Sequence, residues 1–158
     1  MKGALAALAL LLAACGYRLG PSTPVAGART VAIPVFDNTT FRRGIEMDLA
    51  RLLASEVQSR TRLRVVETGA DLVIQGSIVE VREALLSESK GEQVRESSLL
   101  VTVEFSIRDG RWGEPVVAQQ RVTERESYVP SIGESVRTAR SESLRRLAAD
   151  IVDRLEKP

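Results

Sequence analysis

Histidine is absent from this sequence of 158 residues, and cysteine occurs once, at Cys15. The lack of histidine excludes a Ser-His-Asp or Cys-His catalytic site, a histidine metal ligand and an imidazole-based pH switch. A single cysteine excludes an intramolecular disulfide bond and any zinc or iron–sulfur site built on several cysteines. Since general acid–base sites most often use histidine, we expect a protein that is not an enzyme and holds no metal or cofactor.

Lysine is also scarce, because only Lys2, Lys90 and Lys157 add to the arginines. The chain has 22 basic and 21 acidic side chains, which gives a formal net charge of +1. This balance argues against nucleic acid as a partner, since broad binding to nucleic acid requires a basic surface. The length and the hydrophobic content of 44% predict one globular domain with a real core.

The N-terminus combines a charged start with a short apolar run and the only cysteine. Lys2 precedes Ala4–Ala14, a run too short to span a bilayer and typical of a secretory signal peptide. The four residues that end at Cys15, Leu-Ala-Ala-Cys, resemble the lipobox of bacterial lipoproteins. The resemblance implies a signal peptide at 1–14 and a lipidated tether at 15–28. The alternative is an N-terminal anchor helix that is never removed.

Lipidation of Cys15 would fix the location of the protein. Acyl chains contribute about 0.8 kcal/mol per buried methylene, so two or three of them hold a domain at a membrane that it does not span. Gly16 stands where an inner-membrane retention signal would have aspartate, so the resemblance favours the outer membrane, with the domain facing the periplasm. Cleavage also removes Lys2 and brings the net charge to zero, so any anion binding must come from a local cluster of arginines.

Hydrophobic periodicity predicts a single α+β domain over residues 29–158. Apolar residues at 3.6-residue spacing predict amphipathic helices at Ile45–Val57 and Val136–Leu155. Strict alternation over Ser98–Arg108 predicts a strand with one buried face. Further strands are predicted at Thr30–Phe36, Leu63–Glu67, Asp71–Glu83 and Val116–Tyr128. This order predicts a two-layer sandwich, with two helices packed on one face of a mixed or antiparallel sheet of four to five strands.

Three local signals add detail to this fold. Pro34 indicates an edge strand or a strand end, because proline cannot donate to a sheet ladder. Gly76 lies within a predicted strand and indicates a bulge or a close approach of another segment. The polar run from Asp37 to Thr40 supplies oxygens that we expect to cap the following helix, although the same oxygens could bind a cation.

Candidate binding residues are few. Arg60, Arg62 and Arg64 alternate across the end of the first helix and the start of the next strand, so they are expected on one side. A guanidinium presents a planar fork of donors that suits phosphate oxygens. The alternative is that these arginines only complement the dipole of the helix. Trp112 lies at a predicted hairpin tip, where it either anchors a partner or folds back on the sheet.

A series of short motifs resembles the LptE family of lipopolysaccharide-assembly lipoproteins. The motifs are Cys15-Gly16-Tyr17-Arg18-Leu19, Ile33-Pro34-Val35-Phe36-Asp37-Asn38-Thr39-Thr40, Gly44-Ile45-Glu46, Ala70-Asp71-Leu72-Val73-Ile74-Gln75-Gly76-Ser77-Ile78, Ile107-Arg108-Asp109 and Tyr128. The amphipathic C-terminal helix completes the series. The motifs cover nearly the whole mature chain, and their order and spacing are more specific than any one of them.

The resemblance implies an α+β lipoprotein that sits in the lumen of the outer-membrane β-barrel LptD, assists its assembly and helps to pass lipopolysaccharide to the outer leaflet. Arg60, Arg62 and Arg64 are then the candidate contacts for lipopolysaccharide phosphates. A second hypothesis is a self-associating structural lipoprotein of a secretion or envelope complex that uses an exposed edge strand. A third, a hydrolase built on Asp and Glu, finds no carboxylate pair in the sequence that stands out.

Overall fold

Three long antiparallel strands form the centre of a sheet, and two helices cover one of its faces. The computed structural model describes residues 27–88, 95–129 and 135–155. Within them the elements are β1 (Thr30–Ala32), β2 (Asp37–Asn38), α1 (Ile45–Arg60), β3 (Arg64–Val65), β4 (Leu72–Glu88), β5 (Arg95–Asp109), β6 (Pro115–Tyr128) and α2 (Val136–Asp153). The predicted α+β architecture is confirmed, and the described residues form a mixed sheet of six strands, the additional one being the two-residue β2.

The strand order is β3-β1-β4-β5-β6, and β2 also pairs with β4. The pairs of β1 with β3 and of β1 and β2 with β4 are parallel, with Val31 opposite Leu72 and Asp37 opposite Ser77. β4, β5 and β6 pair antiparallel along most of their length. In this order β6 is an edge strand, and one end of the domain holds the start of β1 together with the β5–β6 turn.

The core lies between the helices and one face of the sheet. On β5 the predicted alternation is confirmed, because every second side chain from Leu99 to Ile107 is buried. The helices contribute the buried residues Ile45, Leu49, Leu53, Val57, Leu144, Leu147, Ile151 and Val152. Burying one such side chain contributes about 1.5–3 kcal/mol, so this layer is the main source of stability.

Gly76 lies on the core face of β4, beside the connection that runs along this strand from β1 to β2. A Cβ atom here would lie 2.8 Å from the Phe36 ring and 2.2 Å from the carbonyl oxygen of Glu104. The close approach therefore explains Gly76, since the two irregularities in the β4–β5 ladder fall elsewhere, between Ile78 and Glu80 and between Leu85 and Ser87.

The helix α1 begins at Ile45 as predicted, but its expected cap from the polar run Asp37–Thr40 does not form. Asn38 belongs to β2, and the helix follows Gly44, which has a φ of 86° and provides no side-chain cap. The Asn38 amide instead donates to the Glu46 carboxylate and to the Arg42 carbonyl, both at 2.7 Å. The polar oxygens end at Thr40, too far from the first helical N–H groups to cap them. β1 ends at Ala32, as the proline two residues later predicts.

Candidate functional site

The sheet face opposite the helices is polar, and none of the described elements covers it. Its side chains bond across neighbouring strands. Arg121 donates twice to the Glu104 carboxylate, at 2.6 and 3.0 Å, and the hydroxyls of Thr102 and Thr123 lie 3.0 Å apart. Exposed ion pairs of this kind contribute little to stability. This outer face is therefore a polar surface that can exchange its internal bonds for bonds to a partner.

A depression of about 420 Å³ lies on the outer face, between β2 and the middle of the long strands. Its floor includes Gln75, Ser77 and Ser106, with Arg108 and Gln119 at its sides. Gln119 donates to the Glu104 carboxylate at 2.9 Å, so that acid is already bonded. Among the described residues no group of three Cys, Asp or Glu side chains could hold a metal ion. Amides, hydroxyls and a guanidinium are groups suited to binding polar ligands.

The three arginines predicted as binding residues differ in their contacts. Arg60 joins the ends of the two helices, since it pairs with Asp153 and donates to the Ala149 carbonyl at 3.3 Å. Arg62 and Arg64 are exposed and form no ion pair within the part of the chain that the structure describes. The structure thus places all three near the start of β3 but leaves only Arg62 and Arg64 open to a ligand.

Asp71 fastens the point where the chain enters the domain. Its Oδ2 accepts hydrogen bonds from the Arg29 N–H at 2.9 Å, the Thr30 N–H at 3.1 Å and the Thr30 hydroxyl at 2.9 Å. Its Oδ1 lies 3.6 Å from the Arg111 guanidinium. The Arg29 N–H, followed by the Thr30 hydroxyl, holds the pKa of Asp71 below its usual value. No sequence signal identified this role, because an aspartate before a strand is ordinary in turns.

Trp112 lies in the turn between β5 and β6 and is 80% exposed, so it does not fold back on the sheet. The Asp109 carboxylate accepts from the N–H of Arg111 at 2.8 Å and from that of Trp112 at 2.9 Å. Gly113 N–H donates to the Asp109 carbonyl at 2.9 Å. These bonds fix the turn and leave the indole in solvent.

A second exposed aromatic, which was not predicted from the sequence, lies before α1. Phe41 is fully exposed, and its neighbour Arg42 pairs with Glu83 on β4. Beside that pair, Arg137 and Arg140 from the first turns of α2 line a cavity of about 220 Å³. Cations are unfavourable at a helix N-terminus, so these arginines destabilise α2 slightly. The sequence feature that could have predicted this exposure is the position of Phe41 outside the apolar stripe of α1.

Acidic side chains on the other face of β6 lie against α2. Glu126 pairs with Arg146 at 3.0 Å. Burial, followed by the charge of Asp150, raises the pKa of the neighbouring Glu124. The sequence predicted β6 as a polar edge strand, and its polar residues in fact serve two surfaces, the outer face of the sheet and the contact with α2.

Cys15 lies outside the described residues, so its lipidation stays a prediction. In the portions of the chain that the structure describes, no helix is long and apolar enough to cross a membrane.

A family model described as LptE, lipopolysaccharide assembly, matches residues 28–156. The chain belongs to the LptE family. The matched LptE range includes every strand and helix described above, together with the three arginines and Trp112. Comparison with curated proteins gives no significant match. Membership in LptE, a family of lipoproteins without enzymatic activity, gives this protein a role in lipopolysaccharide assembly in the bacterial envelope.

Three solved structures resemble this LptE-family chain in fold. Lipoprotein B from Nitrosomonas europaea has 18% identity and a TM-score of 0.57, over 89% of this chain and 90% of its own. Rare lipoprotein B from Shewanella oneidensis has 15% identity and a TM-score of 0.51, over 80% and 92%. A PelC dodecamer from Paraburkholderia phytofirmans has 14% identity and a TM-score of 0.54, over 88% and 95%. At these identities the likeness shows the fold alone.

Proposed function

We propose that this protein is an outer-membrane lipoprotein, anchored through acyl chains on Cys15, that binds and helps to assemble the LptD β-barrel and assists transport of lipopolysaccharide to the outer leaflet. The LptE family match over residues 28–156 carries this proposal. The lipobox-like sequence before Cys15 supports the anchor and the location.

The outer face of the sheet supports the contact with a barrel. The interior of an outer-membrane barrel is polar, so its partner must offer hydrogen-bonding groups. Glu104, Arg121 and Thr123 offer such groups on the outer face, whereas the Thr102 hydroxyl, which bonds to Thr123, is buried. Because an exposed ion pair contributes only about 0.2–1 kcal/mol, these side chains can turn from each other to the barrel wall at little cost.

Arg60, Arg62 and Arg64 are the proposed contacts for lipopolysaccharide phosphates. Arg62 and Arg64 are exposed on either side of the buried Leu63, at the start of β3. Arg60 would have to leave Asp153 to reach a ligand. We therefore expect Arg62 and Arg64 to supply most of the binding, with Arg60 as a minor contributor.

The barrel contact is tested by affinity purification of a C-terminally tagged chain from outer membranes, followed by mass spectrometry. The wild-type chain should fractionate with the outer membrane and recover one β-barrel protein. Cys15→Ser should leave the membrane fraction, because it has lost the site of acylation. Recovery of wild-type protein from the outer membrane without any barrel would show the partner assignment to be wrong.

The arginine contacts are tested by measuring lipopolysaccharide affinity of the Arg62→Ala, Arg64→Ala double variant. Charge-assisted hydrogen bonds contribute about 1.5–3 kcal/mol each, so we expect at least about a tenfold loss of affinity. Arg43→Ala with Arg125→Ala is the matched control, because it removes the same charge from exposed positions away from β3. Equal losses in both variants would indicate that net charge, and no specific site, governs binding.

A second candidate function is self-association into a structural ring. It is favoured by the fold shared with a PelC dodecamer and by β6, a 14-residue edge strand. Strand addition to such an edge is a common mode of assembly. Sedimentation of the wild-type chain decides between the two: a ring-sized particle in the absence of a barrel supports self-association, and a monomer that gains mass only with the barrel contradicts it.

A further inference from the structure

The start of β1, which follows the tether in sequence, and the β5–β6 turn meet at one end of the domain. Gly27 follows Cys15 by twelve positions, so an anchor at Cys15 would hold this end within about 40 Å of the membrane at full extension. β4 runs away from this end for 17 residues, or about 55 Å. The end that contains the β5–β6 turn is thus the part of the domain that the anchor keeps nearest to lipid.

Direct contacts connect the turn to Arg29, the first residue of the domain after the tether. The Asp71 carboxylate accepts from the Arg29 N–H at 2.9 Å and lies 3.6 Å from the Arg111 guanidinium. The Asp71 carbonyl accepts from the Gly110 N–H at 2.8 Å. One residue therefore bonds to both the incoming chain and the turn, and the two cannot move apart without breaking these bonds.

The turn fixes the backbone at Trp112 and leaves the indole exposed. Two hydrogen bonds to the Asp109 carboxylate fix the backbone at Arg111 and Trp112. Trp112 is 80% exposed and has a glycine on one side, so no neighbouring side chain forms a pocket around it. The end of the domain that the anchor would hold nearest to lipid therefore carries one exposed indole. Tryptophan favours the boundary between lipid headgroups and acyl chains.

The charges around the tip balance. Arg108 and Arg111 are exposed at the turn itself, and its acids are Asp109 and Glu114, whereas the exposed Arg62 and Arg64 lie at the start of β3, separated from the turn by β1 and β4. Since the positive and negative groups are equal in number, attraction to anionic lipid is weak here. The arginine stems can cover apolar surface while their guanidinium groups stay among the headgroups. The indole is then the group on which contact with a membrane depends.

We propose that the β5–β6 tip, formed by Arg108, Arg111 and Trp112, is a second membrane contact. Trp112 inserts at the headgroup–acyl boundary of the bilayer that holds the lipid anchor, and this sets the orientation of the domain. The inference rests on the proposed function only through the anchor at Cys15. Tethering raises the local lipid concentration, so the contact is more fully populated in the anchored chain than in a free chain, which needs excess vesicles to show it.

Trp112 is the only tryptophan in the chain, so its fluorescence reports this position alone. The lipidated full chain is reconstituted in phosphatidylethanolamine–phosphatidylglycerol vesicles whose lipids carry bromine near the headgroup or near the end of the acyl chain. We expect a blue shift relative to Cys15→Ser in buffer, stronger quenching by shallow than by deep bromine, and no change with salt. Unshifted and unquenched emission from chains that float with the vesicles would overturn the proposal.

The matched control moves the fluorophore to the exposed position before α1. In the Trp112→Phe, Phe41→Trp variant the tryptophan is the neighbour of Arg42, which pairs with Glu83 on β4. Glu83 lies about 35 Å along β4 from Leu72, the residue at the end of the domain that holds the tip. We expect no bromine quenching at this position. Equal quenching at positions 41 and 112 would mean that the domain lies flat on the bilayer, and it would overturn a contact limited to the tip.

Vesicle flotation separates this inference from the proposed anchor. If the wild-type chain does not float, the anchor at Cys15 is wrong, and the tip is judged by adding excess vesicles: quenching of Trp112 then supports the contact and its absence overturns it. A blue shift without bromine quenching indicates that protein covers Trp112, which also contradicts the membrane contact.

Discussion

The two faces of the sheet come from the same alternating strands but are stabilised in different ways. On the covered face, the odd-numbered residues of β5 from Leu99 to Ile107 are buried against the helices. On the outer face, Glu104 between them bonds to Arg121 on the next strand. The covered face is held by burial of apolar area, and the outer face by polar pairs that water can replace.

This difference determines where the protein can bind a partner. Each polar pair on the outer face contributes little to stability, so evolution can alter that face without unfolding the domain. The covered face has no such freedom, because each buried residue is packed against several others. A binding surface for a polar barrel wall therefore belongs on the outer face.

The largest expected effect comes from a cavity in the covered face. Leu147 is fully buried on α2, and Leu147→Ala should lower the free energy of unfolding by about 2–5 kcal/mol. Arg125→Ala, on the opposite face of β6, is the control and should change it by less than about 0.5 kcal/mol. Urea denaturation of both variants measures the contrast. Similar losses in the two would show that the faces do not differ as described.

A smaller effect is expected from adding one methyl group to the covered face. Gly76→Ala places a Cβ 2.2 Å from the Glu104 carbonyl oxygen, so backbone must shift. We expect a loss of about 1–3 kcal/mol, the usual cost of overpacking. Ser77→Ala, the next residue and on the outer face, is the control. Thermal unfolding that leaves Gly76→Ala as stable as Ser77→Ala would contradict the close approach of Phe36.

Most of the fold followed from periodicity. The pattern at Ser98–Arg108 predicted β5 and its buried face, and the two helical stripes predicted α1 and α2, because one-sided burial imposes these periods directly. β2 was not predicted, since a two-residue strand has no period and exists only because β4 offers it a partner. The start of α1 at Ile45 was predicted correctly, but its expected cap was wrong for a similar reason, because Asn38 joins β2 and bonds to Glu46.

The candidate site was less predictable than the fold. The exposure of Trp112 was left open by the sequence, and the Asp109 bonds that hold it outward depend on the turn geometry. Arg60 forms an ion pair with Asp153, which is distant from it in sequence, so no local pattern could predict the pair. The same holds for Asp71, whose partners Arg29 and Thr30 precede it by about forty positions.

The contact between β6 and α2 places charged side chains on the otherwise apolar covered face. Its carboxylates predict that the stability of the domain depends on pH. Glu124 faces Asp150, Arg146 and Glu126, and burial followed by Asp150 raises its pKa above the ordinary value of 4.5. The folded state thus holds this proton more tightly than the unfolded state. The associated stability is present below pH 4.5 and is lost as the pH rises through the folded pKa.

Glu124→Gln should therefore raise the melting temperature at neutral pH and flatten its decline above pH 4.5. Glu142→Gln is the opposing control on α2, because a hydrogen bond from Arg145 lowers the pKa of Glu142. Its carboxylate contributes stability above the unfolded pKa, so this variant should be less stable at neutral pH. Melting curves between pH 4 and pH 8 measure both, and a shift of the same sign in the two variants would contradict the assignment.

The smallest effect belongs to the outer face. A double-mutant cycle of Glu104→Ala and Arg121→Ala should give a coupling energy of about 0.2–1 kcal/mol that falls as salt is added, because the Arg121 side chain is 65% exposed. Val103 and Val122, an adjacent cross-strand pair on the helix-facing side, should instead give a coupling that does not depend on salt. If Glu104 and Arg121 couple as strongly as a buried pair, the outer face contributes to folding itself, and its freedom to exchange bonds with a barrel wall would be lost.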